Sequence, residues 1–301
     1  MASVLITGGT GLVGTQLCRL LEEKGYEVAL LGRMNDPGAT YPTYVWDWKK
    51  MEIEEQAFDR ADYIIHLAGA NLADKRWTTS RKRIIQDSRI RTIQLIYNTL
   101  KHRHQKIKAL ISASAIGYYG SVSSPGIYSE NDPPAEDFLG NTCEKLEHEV
   151  ESFKSLGIRT VRIRTGVVLT REGGALSRMA YPLKFGMGPI FGSGEQYLPW
   201  IHAVDLCNIY LRALEDMEME GAYNAVAPDH KTNRQFMHAV ALARKRPVIF
   251  VRIPSLALNF ILGQRADMIL FGSRVSSEKI IKAGYRFLYP VLESALIDLI
   301  G

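Results

Sequence analysis

Apolar residues fall into short runs and helix-spaced stripes that alternate along the first half of the chain. Val4-Leu5-Ile6 is a β-branched, apolar run, and after a glycine-rich stretch Leu17, Leu20 and Leu21 recur at helical spacing. Gly25 stops that helix and Tyr26 to Leu31 form a second apolar run, which completes a strand-helix-strand unit of about 30 residues. The pattern continues with strands at Tyr44 to Trp46, Tyr63 to Leu67, Ala109 to Ser112 and Thr160 to Arg164. Between them it predicts a long basic helix over Thr78 to His102 and another over Asn141 to Leu156.

Strands separated by helices imply α/β architecture, a doubly wound parallel sheet of the Rossmann type. From Gly166 glycine and proline become frequent, helix returns at Val204 to Glu215, and Lys231 to Gly301 reads as mainly helical, with helices at Asn233 to Arg244, Ser255 to Ile261 and Glu278 to Ala283. Two regions sharing one core are expected: a dinucleotide-binding core over 1–165 and a smaller, mostly helical substrate lobe over 166–301.

Composition narrows the class. Of 301 residues, 46% are hydrophobic and 23% charged, an ordinary globular balance that excludes disorder and low-complexity repeats. Lys and Arg number 37 against 32 Asp and Glu, a net charge of +5. The densest basic run, Lys75 to Arg91, reads as a solvated helix face, with smaller runs at Lys101 to Lys108 and Arg244 to Arg246. No aromatic interleaving or known module accompanies the charge, so a nucleic-acid partner is not expected. Cys18, Cys143 and Cys207 are odd in number and far apart, which argues against disulfides and a metal site and for a reducing, cytoplasmic setting. No basic leader or clean apolar span appears, so no membrane partner is expected either.

The chemistry concentrates in Thr7-Gly8-Gly9-Thr10-Gly11-Leu12-Val13-Gly14, between the first strand and its helix. Gly8 permits a tight turn, Gly11 lets a pyrophosphate approach the backbone, and Gly14 lets the helix pack on the strand. Thr7, Leu12 and Val13 complete the turn, and the helix N-terminus offers free N–H groups to phosphate oxygens. An NAD-specific site would carry a carboxylate after the second strand, but the chain reads Leu31-Gly32-Arg33 there. The Arg33 guanidinium suits a 2′-phosphate, so NADP is expected over NAD.

The glycine turn, together with His66-Leu67-Ala68-Gly69-Ala70, resembles the extended short-chain dehydrogenase/reductase superfamily of sugar-nucleotide epimerases and dehydratases. Asp74-Lys75-Arg76-Trp77, Asp87-Ser88-Arg89, Ser112 to Gly120 and Pro199-Trp200-Ile201-His202 are similar to its atypical subgroup, the epimerase family proteins. The resemblance covers essentially the whole chain. It implies that Leu67, Ala68 and Gly69 line the cofactor, that Ser114 polarises a substrate oxygen, and that a Tyr passes the proton with a Lys four residues later. Lys145 is matched to the Lys, but the matching Tyr position is Asn141, whose amide cannot exchange a proton near neutral pH. Tyr118, Tyr119 and Tyr128 are neighbouring phenols, of which Tyr118 is taken as the candidate donor, and each is also a plausible core or rim aromatic. His66 reads as a core histidine. Asp205 stands at a helix start, as an N-cap or a substrate contact. The Arg that grips a nucleotide diphosphate in the sugar-nucleotide enzymes is Leu198 here, which argues against such a substrate.

Two functions stay open at this stage. One is an NADP-dependent oxidoreductase or epimerase-like enzyme for a small hydroxyl or carbonyl compound, with Ser114, Lys145 and Tyr118 catalytic. The other is an NADP-binding sensor or scaffold that lost turnover with the Tyr. A small-molecule partner is common to both, and a homodimer is compatible with either.

Overall fold

The computed structural model describes residues 1–34, 38–103, 107–245 and 247–301, so part of the basic runs at Lys101 to Lys108 and Arg244 to Arg246 lies outside the described residues. Eight strands form the central sheet: β1 (Ser3–Thr7), β2 (Glu27–Gly32), β3 (Thr43–Asp47), β4 (Glu52–Ile53), β5 (Tyr63–His66), β6 (Ala109–Ala115), β7 (Arg159–Thr165) and β8 (Gly221–Ala225). Their spatial order is β8-β7-β6-β5-β1-β2-β3-β4. All neighbours are parallel except β4, which runs antiparallel to β3. The chain leaves β1 for β2 on one side and later returns to β5 on the other, so the strand order reverses at β1, where such folds hold their ligands.

Alternation along each strand decides what covers which face. Val4 and Ile6 of β1 pack in one core with Leu17 and Leu21 of α1 (Leu12–Glu23). Leu5, between them, joins a second core with Ile93 and Ile96 of α2 (Thr79–Lys101) and Leu146 and Val150 of α3 (Phe138–Glu151). The first core also takes in Leu206, Ile209 and Tyr210 of α4 (Ala203–Glu215). Both α4 and β8 therefore return to the sheet from beyond residue 165, and β8 pairs with β7 from Gly221↔Val161 to Ala225↔Thr165. The run Gly-Ala-Tyr-Asn-Ala lacks the β-branched residues that mark a strand, so its place is set by pairing rather than propensity.

A third core lies in the smaller lobe, where Trp200, Phe236, Val240, Leu292 and Leu296 are enclosed. This lobe also contains parallel strand pairs that the helical pattern hides: Met187–Phe191 with Ile249–Ile253, and Val167–Thr170 with Trp200–His202. The helix expected from Asn141 starts earlier, at Phe138, because Asp137 caps it by accepting from Gly140 N at 2.8 Å; it gives way to a 3₁₀ turn at Ser152–Leu156. Asp205 caps nothing. His202 is the N-cap of α4, its Nδ1 accepting from Val204 N at 3.1 Å. The Asp205 carboxylate instead accepts from Tyr285 OH at 2.7 Å, Leu288 N at 2.8 Å and Tyr289 N at 2.9 Å, which ties the C-terminal segment to α4. Among the described residues no helix is long and apolar enough to cross a membrane.

Candidate cofactor and substrate cleft

The glycine turn leaves β1 and enters α1 with a different constraint at each glycine. Gly8 has φ of +72° and a Cβ there would stand 3.0 Å from Ala68 N, so both conformation and space require glycine. At Gly14 a Cβ would fall 2.3 Å from Gly8 O and 2.7 Å from Gly9 Cα, because helix and turn are in direct backbone contact. Gly11 is different. A Cβ there meets only Gly8 O, at 3.2 Å, and Thr10, Gly11 and Leu12 are exposed. The turn is thus closed toward the protein and open toward solvent at the N-terminus of a 12-residue helix, a geometry suited to phosphate oxygens. Arg33, just beyond β2, is exposed on the same edge of the sheet.

Thr7 and His66, at the ends of β1 and β5, knit the cleft floor. Thr7 Oγ1 accepts from Ala68 N at 3.1 Å and lies 2.8 Å from His66 Nδ1, while His66 Nε2 lies 3.2 Å from Thr92 Oγ1. Thr92 donates to backbone carbonyls of its own helix. With Thr92 donating to its helix and Thr7 holding Ala68 N, the contacts suit a neutral imidazole that accepts at Nδ1 and donates at Nε2. Burial, assisted by the positive charge of Arg89, pushes the His66 pKa down to about 3. His66 is accordingly a buried structural histidine.

Helix α2 fixes the loop that follows β5. Ser88 Oγ accepts from Ala70 N at 2.9 Å, Arg89 Nη1 donates to Ala70 O at 3.1 Å, and Arg81 Nη2 donates to Asn71 O at 2.6 Å. Arg76 and Arg91 likewise donate to backbone carbonyls, of Ile261 and Lys49. The basic run read as a solvated face is thus corrected: much of it braces loops, because guanidinium groups reach carbonyls that no helix or strand satisfies.

Ser114, near the end of β6, donates to Glu147 Oε1 at 2.7 Å. Glu147 and Arg164 are both buried and form a bidentate pair, Nε to Oε1 and Nη2 to Oε2, each at 2.9 Å. Arg164 Nη1 reaches Tyr119 OH at 3.0 Å, and its guanidinium stacks 3.4 Å from the centre of the Tyr118 ring. Burial raises the Tyr118 pKa, with Arg164 opposing, so this phenol is protonated at neutral pH. Cys143 lies within hydrogen-bonding reach of the Ser114 side chain and the Ala115 backbone, its thiol pushed up to about 11, chiefly by burial.

The predicted site residues are therefore brought together in part. Thr7, Gly8, Gly11, Leu12, Val13 and Gly14 form one turn, against which Leu67 and Ala68 pack at Gly8, with Gly69 next in the chain. Ser114 and Tyr118 meet around the Glu147–Arg164 pair. Lys145 does not join them. It is exposed, and the α3 face turned to Ser114 and its following turn carries Leu139, Cys143 and Glu147, one helical turn apart. Asn141 is also diverted, its amide donating to Glu136 O at 2.7 Å and Asp137 O at 2.9 Å. Matching Lys145 by sequence fails because two residues of offset rotate a side chain by about 200° around a helix. Glu147, Arg164 and Arg89 were missed. For Glu147 and Cys143 the available signal was the four-residue spacing that puts Leu139, Cys143 and Glu147 on one stripe.

The model of the NAD dependent epimerase/dehydratase family fits residues 4–226, and a domain of unknown function (DUF1731) fits residues 253–299. The chain is 35% identical over 302 residues to epimerase family protein SDR39U1 of Mus musculus, covering 99% of each. It is 36% identical over 307 residues to epimerase family protein SAOUHSC_00792 of Staphylococcus aureus (strain NCTC 8325 / PS 47), covering 100% of this chain and 99% of that one. The crystal structure of human SDR39U1 (isoform2) with NADPH superposes with a TM-score of 0.88 at 34% identity, covering 99% of both chains.

Proposed function

Because the chain belongs to the NAD dependent epimerase/dehydratase family, we propose that it holds NADP(H) in the cleft at the end of β1 and acts as an oxidoreductase or epimerase-like enzyme on a small hydroxyl or carbonyl compound. The observation that carries this reading is the glycine turn, sealed by backbone at Gly8 and Gly14 and open at Gly11, with a guanidinium rather than a carboxylate after β2. NADPH in the human relative supports the choice of dinucleotide. The open turn and helix N-terminus would hold the pyrophosphate, and Arg33 the 2′-phosphate. When bound, the cofactor would supply or accept hydride at a substrate carbon. The protein would supply the rest: a cleft wall from Leu67 to Gly69, and a protonated phenol at Tyr118 able to donate to a substrate oxygen. Ser114 has its proton committed to Glu147, so it would serve as an acceptor for a substrate hydroxyl rather than as a donor to a carbonyl.

One observation favours a second reading, that of an NADP-binding sensor: the α3 face toward Ser114 offers Leu139 and Cys143 where the superfamily pattern has a phenol and an ammonium. Calorimetry and turnover separate the two. NADPH should bind more tightly than NADH, and Arg33→Ala should weaken NADPH about 10- to 150-fold while leaving NADH unchanged. NADPH oxidation across a panel of small ketones and aldehydes should be detectable and should fall in Tyr118→Phe. Binding with no turnover on any member of the panel favours the sensor, and equal affinity for both dinucleotides rejects the NADP assignment.

A further inference from the structure

Arg89 is a cation on the cleft wall. It is partly buried, burial pulls its pKa down, and among the described residues it forms no ion pair. Its Nη1 is used twice, toward Ala70 O at 3.1 Å and Ile85 O at 2.9 Å. Nε and Nη2 make no hydrogen bond with any described residue, and these are the two donors of the guanidinium edge that grips paired oxygens. That edge borders exposed Gly69: a Cβ there would stand 3.0 Å from Cζ and 3.2 Å from both Nε and Nη2. The glycine thus leaves clear the space beside the free edge. Ala68, the preceding residue, is the one packed on Gly8 of the phosphate turn.

Sheet order says which part of a dinucleotide would meet this edge. Glycine turn and α1 N-terminus are central, at β1; β2, with Arg33, lies on one side, and β5, with the Arg89-bordered loop, on the other. A dinucleotide whose pyrophosphate sits on the turn and whose 2′-phosphate sits at Arg33 extends its other half toward β5. We infer that the Nε/Nη2 edge of Arg89 binds oxygen atoms of the nicotinamide-ribose half of NADP(H), so that α2 rather than α3 provides the cation on that side of the cleft. Desolvating a guanidinium is costly unless oxygen acceptors meet it, and ribose and phosphate oxygens supply them. This inference rests on the NADP reading above.

The test compares two ligands that share the adenosine half: NADPH and adenosine 2′,5′-bisphosphate, which lacks the nicotinamide-ribose half. Calorimetry on the full chain should show Arg89→Gln weakening NADPH by about tenfold or more, with the bisphosphate unchanged. Arg33→Ala should weaken both, which checks the NADP reading separately, and Lys145→Ala should weaken neither. Gly69→Ala retains the arginine but sets a methyl 3.0–3.2 Å from Cζ, Nε and Nη2, and should reproduce the selective loss if Arg89→Gln fails to fold. Gly69→Ala separates direct contact from loop bracing, because it keeps Nη1 available to Ala70 O and Ile85 O while crowding Nε and Nη2. Equal weakening of both ligands by Arg89→Gln and by Gly69→Ala, or weakening of neither, overturns the inference while leaving the Arg33 result standing.

Discussion

The three glycines of the turn after β1 look alike in sequence and differ in what surrounds them. Gly14 faces backbone at 2.3–2.8 Å, which cannot yield as a flexible side chain would, so Gly14→Val should cost about 3 kcal/mol or more of folding stability. Gly11 faces a single oxygen and solvent, so Gly11→Val should keep a near-normal melting temperature yet lose the stabilisation that NADPH gives the wild type. Thermal unfolding with and without NADPH measures both. A Gly11→Val protein that retains the full ligand-induced shift would show that the turn is a plain connection. The same distinction between chemistry and surroundings separates Lys145, charged but exposed, from Arg89, charged and held against the cleft wall.

At the scale of elements, Glu147 and Arg164 join α3 to β7 across the floor on which Ser114, Tyr118 and Tyr119 rest. Removing one member leaves a buried uncompensated charge. Glu147→Leu alone should therefore destabilise by about 3–5 kcal/mol in urea titrations, and Glu147→Leu with Arg164→Met by clearly less than the sum of the two single changes. Additive losses would mean that the two side chains do not act as a pair.

For the molecule as a whole, stability should depend on pH through its buried histidines. His66 has a folded pKa near 3 against 6.5 when unfolded, so it is neutral in both states above about pH 6.5 and contributes no slope there. As pH falls below 6.5 only the unfolded chain takes up the proton, and stability falls by up to about 1.4 kcal/mol per pH unit until the folded pKa is reached. His202 and His230 are lowered as well, each mainly by burial, so their contribution below pH 6.5 has the same sign. Denaturant unfolding between pH 6 and 4.5 should be steeper for wild type than for His66→Gln, even though the variant starts less stable. Parallel slopes would mean that His66 is protonated in the folded protein.

Much of this architecture is written locally. β1, the glycine turn, α1, β2, and α2 with its Thr78 cap follow from β-branched runs, glycine placement and helical spacing, because those signals act within about 30 residues of chain. The candidate cofactor turn is legible for the same reason, since it is one continuous stretch from Thr7 to Gly14. The cluster around Ser114 is not. Ser114, Cys143, Glu147, Arg164 and Tyr118 come from two strands, a helix and a turn, and whether Lys145 or Cys143 faces Ser114 depends on the rotation of α3, which its burial on the sheet fixes rather than its composition. β8 and the Asp205 clasp on the C-terminal segment were equally hidden, because a weakly propensive run becomes a strand only when β7 offers it hydrogen bonds, and a helix-start aspartate becomes a clasp only when Tyr285, Leu288 and Tyr289 arrive within 3 Å.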